Sequence, residues 1–336
     1  MRNLKRTLSL LLAAAMLMGM MVVGASAASS TDFTDSSEIT REEAVGVMTA
    51  LGVFEGTDSG AFDPGSILTR EQAAAIICRM LLGDDADELT TNSVVFSDVS
   101  SDRWSAGYIG YCAQQGILAG TGDGTFDPEG ELTGLAFAKM LLVALGYNAT
   151  SEGYVGTDWS VNVAADALNA GITPSGIVLA DALNREDAAQ MAFQTLEADM
   201  VTYTGSSSTT VTTPDGSSVV ITGAAEEITN DEEDDYRYEA ADQDDIQQFC
   251  EYYFEDLEKR ESYPDEFGRP SVRWRLGSSE IGTFSETPDG SYTASVEKGE
   301  LYDVIGCDAY NDLLSGDASL SIYCQRRGDR HQRHPL

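Results

Sequence analysis

Apolar side chains recur along the first two hundred residues with a helical period, in paired runs separated by glycine-rich polar stretches. After Leu68, the positions Ala74, Ile77, Cys78 and Leu81 fall at i, i+3, i+4 and i+7, one apolar face of a helix. Thr69 with Gln72 three residues on reads as its capping box, and Thr40 with Glu43 reads as another. Asn184 with Asp187 is a weaker version of the same signal. "WSAGYIGYCAQQG", 104–116, sets Trp104, Tyr108, Tyr111, Cys112 and Gln115 at helical spacing and stops at Gly116. Each stretch predicts helix, loop, helix.

The stretches are copies. "LGVFEGTDSGAFDPGSILTRE", 51–71, aligns with "QGILAGTGDGTFDPEGELTGL", 115–135, at a constant offset of 64, with Val45 on Ile109 and Gly52 on Gly116. A third copy lies 55 residues beyond the second, placing Trp104 on Trp159 and Gly116 on Gly171; its loop is then four residues short. A repeat of this period decides architecture. The expectation is a mainly α chain with helix-loop-helix repeats at 33–83, 96–147 and 153–200, followed by a small α+β domain at 240–320. One hairpin cannot bury its apolar face alone, so the three pack on one another. The glycines of "GTGDGTFDP", 120–128, do not form a phosphate loop. A helix ends before them at Gly116, and Pro128 interrupts the continuous helix that would aim its amides at a phosphate. The loop reads as a connector, with Asp123-Gly124 turning the chain and Phe62 and Phe126 plugging the core.

Composition limits partners. The chain of 336 residues carries a net charge of −36, which opposes nucleic acid and anionic membrane surfaces. Arg2, Lys5 and Arg6, an apolar run at about 8–23 and "ASA" at 25–27 describe a signal peptide, 1–27, with no membrane span after cleavage. Five cysteines scattered singly argue against a disulfide scaffold or zinc site, and Cys78 and Cys112 read as buried free thiols. Residues 201–239 read either as a β-hairpin around Pro214-Asp215-Gly216 or as a Ser/Thr stalk, then an acidic loop. "DDIQQFCEYYFEDLEKR" places Ile246, Phe249, Cys250, Tyr253 and Leu257 on one helical face, and strand-like alternation follows. The basic tail, 326–336, reads as disordered, either binding wall polymers or marking a frameshift. No metal site and no cofactor are expected.

"FSDVSSDRW" followed by "GILAGTGDGTFDP", with "LTRE" opening a helix in the first copy, resembles the S-layer homology repeat, as in exported clostridial-type surface proteins. The resemblance covers roughly 33–200. It implies a pseudo-threefold helical module whose grooves bind secondary cell-wall polysaccharide, commonly a pyruvylated glycan. It also implies a secreted protein held non-covalently in the cell wall or S-layer, in association with peptidoglycan. Arg70 and Arg185 open helices, where the macrodipole disfavours a cation. A ligand carboxylate would account for them, with the helix amides adding to the same pocket; an inter-repeat salt bridge is the other reading. Thr69, Glu71, Asn184 and Glu186 flank the two arginines, and the glutamates could orient them. Trp104 and Trp159 are either sugar-stacking platforms or core. The second copy has Gly134 in place of the arginine and Ala136 in place of the acid, so at most two grooves are expected to be competent. The function expected is non-catalytic wall anchoring. The alternatives are a carbohydrate-active enzyme tethered by the repeats, and a structural S-layer component that binds no sugar.

Overall fold

The computed structural model describes residues 32–90, 96–203, 209–212, 218–221, 224–229, 246–264, 269–285, 290–296 and 316–322. The signal peptide and the basic tail lie outside these residues. Six helices come in three consecutive pairs: α1 Glu42–Ala50 and α2 Arg70–Leu82, α3 Ala106–Gln114 and α4 Gly134–Ala144, α5 Trp159–Asn169 and α6 Arg185–Leu196. The first helix of each pair ends where glycine supplies a left-handed turn: φ is +71° at Gly52, +71° at Gly116 and +74° at Gly171.

The pairs close on themselves. α2 packs on α3, α4 on α5, and α6 back on α1. At the centre, three buried leucines pass backbone hydrogen bonds around a ring. Leu68 N–H donates to Leu183 O at 2.8 Å, Leu183 N–H to Leu132 O at 2.8 Å, and Leu132 N–H to Leu68 O at 2.9 Å. Each loop is anchored from within by a phenylalanine. Phe62 and Phe126 are fully buried, with ring centroids 5.4 Å and 5.3 Å from Phe33 and Phe96 respectively. Asp127 follows Phe126 at φ +59° and Asp63 follows Phe62 at +61°, a backbone region that aspartate tolerates better than most residues. The aspartate of each Phe-x-Asp motif holds that turn. Asp98 accepts from Phe126 N–H at 2.8 Å and Asp127 N–H at 2.7 Å, and Asp35 accepts from Phe62 N–H and Asp63 N–H at the same distances. Cys78 and Cys112 are buried and unbridged, with Sγ atoms 3.5 Å apart.

Beyond α6 the chain adds antiparallel strands. β1 Val201–Thr202 pairs with β4 Glu226–Glu227, β2 Thr209–Thr212 with β3 Ser218–Ile221, and β8 Gly290–Val296 with β9 Gly316–Ile322. β2 and β3 pair antiparallel across 213–217, which lie outside the described residues. A three-stranded sheet, β5 Leu257–Pro264, β6 Pro270–Leu276 and β7 Ser279–Ser285, follows the short helix α7 Phe249–Tyr253. The long helix expected to run from Ile246 to Leu257 is therefore cut to five residues. Phe254 leaves helical geometry at φ −134° and ψ 57°, and Leu257 enters β5 opposite Leu276. This sheet is packed on the helices: Trp274 is fully buried, its ring 5.5 Å from Phe193 of α6, and its Nε1–H donates to Glu43 of α1 at 2.7 Å. Among the described residues no helix is long and apolar enough to cross a membrane.

Candidate ligand-binding site

The first amides of a helix have no intrahelical acceptor. Here those of α2, α4 and α6 are used by the next pair in the ring. Arg70 N–H donates to Gly130 O at 3.0 Å and Glu71 N–H to Pro128 O at 3.0 Å. Arg185 N–H donates to Ser66 O at 2.9 Å and Glu186 N–H to Pro64 O at 3.2 Å; Gly134 N–H and Leu135 N–H donate to Asp181 O and Leu179 O at 3.1 Å and 2.7 Å. The expectation that these amides face a ligand anion is thus corrected: protein carbonyls occupy them. Thr69 and Asn184 are the N-caps of α2 and α6. Thr69 forms a full box with Gln72, and Asn184 accepts from Asp187 N–H at 2.7 Å.

The two arginines repeat one geometry. Arg70 Nε donates to Phe126 O at 2.8 Å and its Nη2 to Ala119 O at 2.9 Å, with the guanidinium 4.5 Å from the Phe126 ring centroid. Arg185 Nε donates to Phe62 O and its Nη2 to Glu55 O, both at 2.9 Å, with the guanidinium 5.1 Å from the Phe62 centroid. Each arginine ties the loop of the adjoining pair through neutral carbonyls. Among the described residues neither forms an inter-repeat salt bridge, the competing expectation. Burial pushes both guanidiniums below the usual arginine range, against the pull of Asp127 and Asp98 on Arg70 and of Asp63 and Asp35 on Arg185. Nη1 of each makes no hydrogen bond among the described residues.

The glutamates beside them turn away to the next helix. Glu71 takes a two-pronged contact from Arg103, at 2.7 Å and 2.8 Å, and a bond from the Ser105 hydroxyl. Burial alone would raise its pKa; Arg103 and Ser105 outweigh that and leave it below the usual carboxylate range. Glu186 accepts from the Thr40 and Arg41 amides, the latter at 2.6 Å, and from the Thr40 hydroxyl at 3.1 Å. Arg41 pairs with Asp187 at 3.0 Å. The Thr40–Glu43 capping box does not form. α1 begins one residue later with Arg41 as N-cap, Glu186 caps it from α6, and Glu43 bonds Trp274 instead. Glu71 and Glu186 orient the first helices of neighbouring pairs rather than Arg70 and Arg185.

A cavity of about 380 Å³ opens beside Arg70. Its wall comes from three pairs: Arg70, the loop at 117–120 with Phe126, Ala136 and Lys139 of α4, and Tyr154 with Trp159. That volume lies within the range of small-ligand sites, and the wall combines apolar faces with two cations. Trp159 is half-buried here with Lys139 Nζ 6.0 Å from its ring centroid, so this tryptophan is brought together with Arg70. Trp104 is 56 % exposed, edge-on to Tyr108 at 6.0 Å, and is not core. Arg185, Asn184 and Glu186 gather around the first pair's loop, away from this cavity. Sequence reasoning missed Lys139 and Tyr154. The alignment offset of 64, which sets Lys139 on Ala75, is the signal that could have singled out the lysine.

Residues 32–74 and 95–138 match the family model of the S-layer homology domain. The chain is 30 % identical over 207 residues to a cell surface protein of Thermoanaerobacter kivui, covering 60 % of this chain and 26 % of that one. It is 33 % identical over 87 residues to a cellulosome-anchoring protein of Acetivibrio thermocellus, covering 26 % and 20 %. It is 32 % identical over 120 residues to an endoglucanase of a Bacillus species, covering 34 % and 13 %. The chain therefore spans about a quarter or less of the length of these curated relatives. Two S-layer homology segments stand in its first half, and over that part it is similar to proteins of bacterial cell surfaces.

Proposed function

We propose that this is a non-catalytic surface protein held non-covalently in the cell wall, with the cavity beside Arg70 taking a segment of wall polysaccharide. Its S-layer homology segments mark a secreted, cell-wall-associated protein. The three helix pairs act as three repeats about a pseudo-threefold axis, a reading supported by the closed ring of Leu68, Leu132 and Leu183 hydrogen bonds. The observation that carries the binding proposal is the wall itself: Arg70 and Lys139 face a 380 Å³ space alongside Trp159, in a chain with 56 acidic and 20 basic residues. An acidic saccharide meets that arrangement with its charge on the cations and a sugar face on the indole. The resemblance adds a narrower identity, a pyruvylated secondary cell-wall glycan joined to peptidoglycan. The endoglucanase relative gives the alternative, in which the repeats tether an enzyme. Sedimentation of the mature protein with peptidoglycan sacculi, intact or stripped of polysaccharide by acid, tests the proposal. Pelleting with intact sacculi alone supports it, and equal pelleting with stripped sacculi overturns it. Hydrolysis of glycan by the pure protein would favour the enzyme reading.

A further inference from the structure

Of the two cations lining the Arg70 cavity, Lys139 is the one that makes no direct bond among the described residues. It stands on α4, five residues past Gly134, at the place filled by Ala75 in α2 and Gln190 in α6. Among the described residues it makes no ion pair or hydrogen bond; its ammonium has only the Trp159 ring, 6.0 Å from the centroid. Burial pushes the ammonium below the usual lysine range. Desolvating a cation without an anionic partner is costly, and acidic side chains are abundant in this chain. The pair that carries Gly134 in place of the motif arginine is also the one with a lysine here. An added Cβ at Gly134 would lie 3.0 Å from Leu179 Cα, so a side chain there requires the neighbouring backbone to give by a few tenths of an ångström.

We propose that Lys139 is a second cationic contact for an acidic saccharide in this cavity, whose charge it meets together with Arg70. In the pair whose loop Arg185 ties, the matching place is the buried Ala75, so no lysine stands there and the two surfaces are unequal. This rests on the polysaccharide reading above. A charge-assisted bond of this kind corresponds to a roughly ten- to hundredfold change in affinity. The experiment titrates the full mature chain with isolated wall polysaccharide, native and with its carboxyl groups reduced to alcohols. Lys139→Met is expected to weaken binding of native polysaccharide by that factor and to change binding of the reduced form little, while Lys139→Arg retains most of the affinity. Thermal melts followed by circular dichroism establish that each variant is folded, and Lys139→Gln replaces Lys139→Met should the latter melt early. If folded Lys139→Met binds native polysaccharide as wild type does while Arg70→Met loses binding, Lys139 is no contact and the polysaccharide reading survives. If wild type itself does not bind native polysaccharide, that reading fails and this inference with it.

Discussion

Arg70 and Arg185 each do two things at once, and substitutions can separate them. Nε and Nη2 tie a neighbouring loop through two carbonyls, and the ring of Phe126 or Phe62 supports the planar group. Lysine keeps the charge and loses the fork and the stacking. Arg70→Lys should therefore lower unfolding stability by about 1–3 kcal/mol in urea titrations, with wall binding weakened less than by Arg70→Met. The aspartates that hold the same loops give a pH signature. Burial works to raise the Asp35 and Asp98 pKa values, but paired backbone amides outweigh it and hold both below the ordinary aspartate value of 3.8. A depressed folded-state pKa contributes stability that is present above that value and is lost as pH falls through the folded one. Asp35→Asn with Asp98→Asn should flatten the acid limb of a stability-against-pH curve below about pH 4; an unchanged limb would show that other carboxylates set it.

At the level of elements, helices were legible where their signals are local. The apolar faces, the Gly116 stop and the Thr69–Gln72 box all lie within one turn or two, and each appears in the structure. What failed depended on distant partners. Thr40 and Glu43 have the right spacing for a box, but Glu186, 146 residues away, reaches the Thr40 amide first. Glu43 is drawn to Trp274, 231 residues on. The helix read through Leu257 stops at Tyr253, and Leu257 pairs instead with Leu276 of the next strand, 19 residues on. Arg70 and Arg185 could be singled out from their place at helix starts, but their carbonyl partners belong to other pairs. The same distant contact yields a test. Burial raises the Glu43 pKa above the usual glutamate value of 4.5, with the Trp274 bond and Lys259 opposing. A raised carboxyl pKa makes stability fall as pH rises from that value through the folded one. Glu43→Gln keeps an oxygen for the Trp274 N–H and removes the charge, so it should raise stability at neutral pH and abolish that slope. A fall in melting temperature at pH 7 would mean that the carboxylate's attraction to Lys259 outweighs its burial.

Across the whole molecule, the part of the C-terminal segment from Ile246 to Ser285 is not an appendage. Phe249, Cys250, Leu257, Trp274 and Ile281 belong to the same continuous core as the helix pairs. Met200 N–H donates to Gln247 O at 2.9 Å, and Lys259 is ion-paired with Glu197 and with Glu261 at 2.8 Å. The sheet closes over α1 and α6, the first and last helices of the ring, so the C-terminal segment fastens the two ends together. A chain ending at residue 200 would expose that apolar face and should unfold at lower urea than the full mature protein, with a smaller dependence on denaturant because less surface is buried. Equal midpoints would show that the ring stands without the sheet.

The central claim is that the arginine-lined surfaces between helix pairs hold the protein to the wall. Two such surfaces on one body act through avidity, so single variants can look mild where the double does not. The direct measurement is calorimetric titration of isolated wall polysaccharide into the full mature chain, wild type against the Arg70→Met, Arg185→Met double variant, each shown to be folded by circular dichroism. The account predicts that the double variant loses at least about a hundredfold in affinity. A folded double variant that binds as tightly as wild type would contradict it and leave the two arginines as loop ties alone.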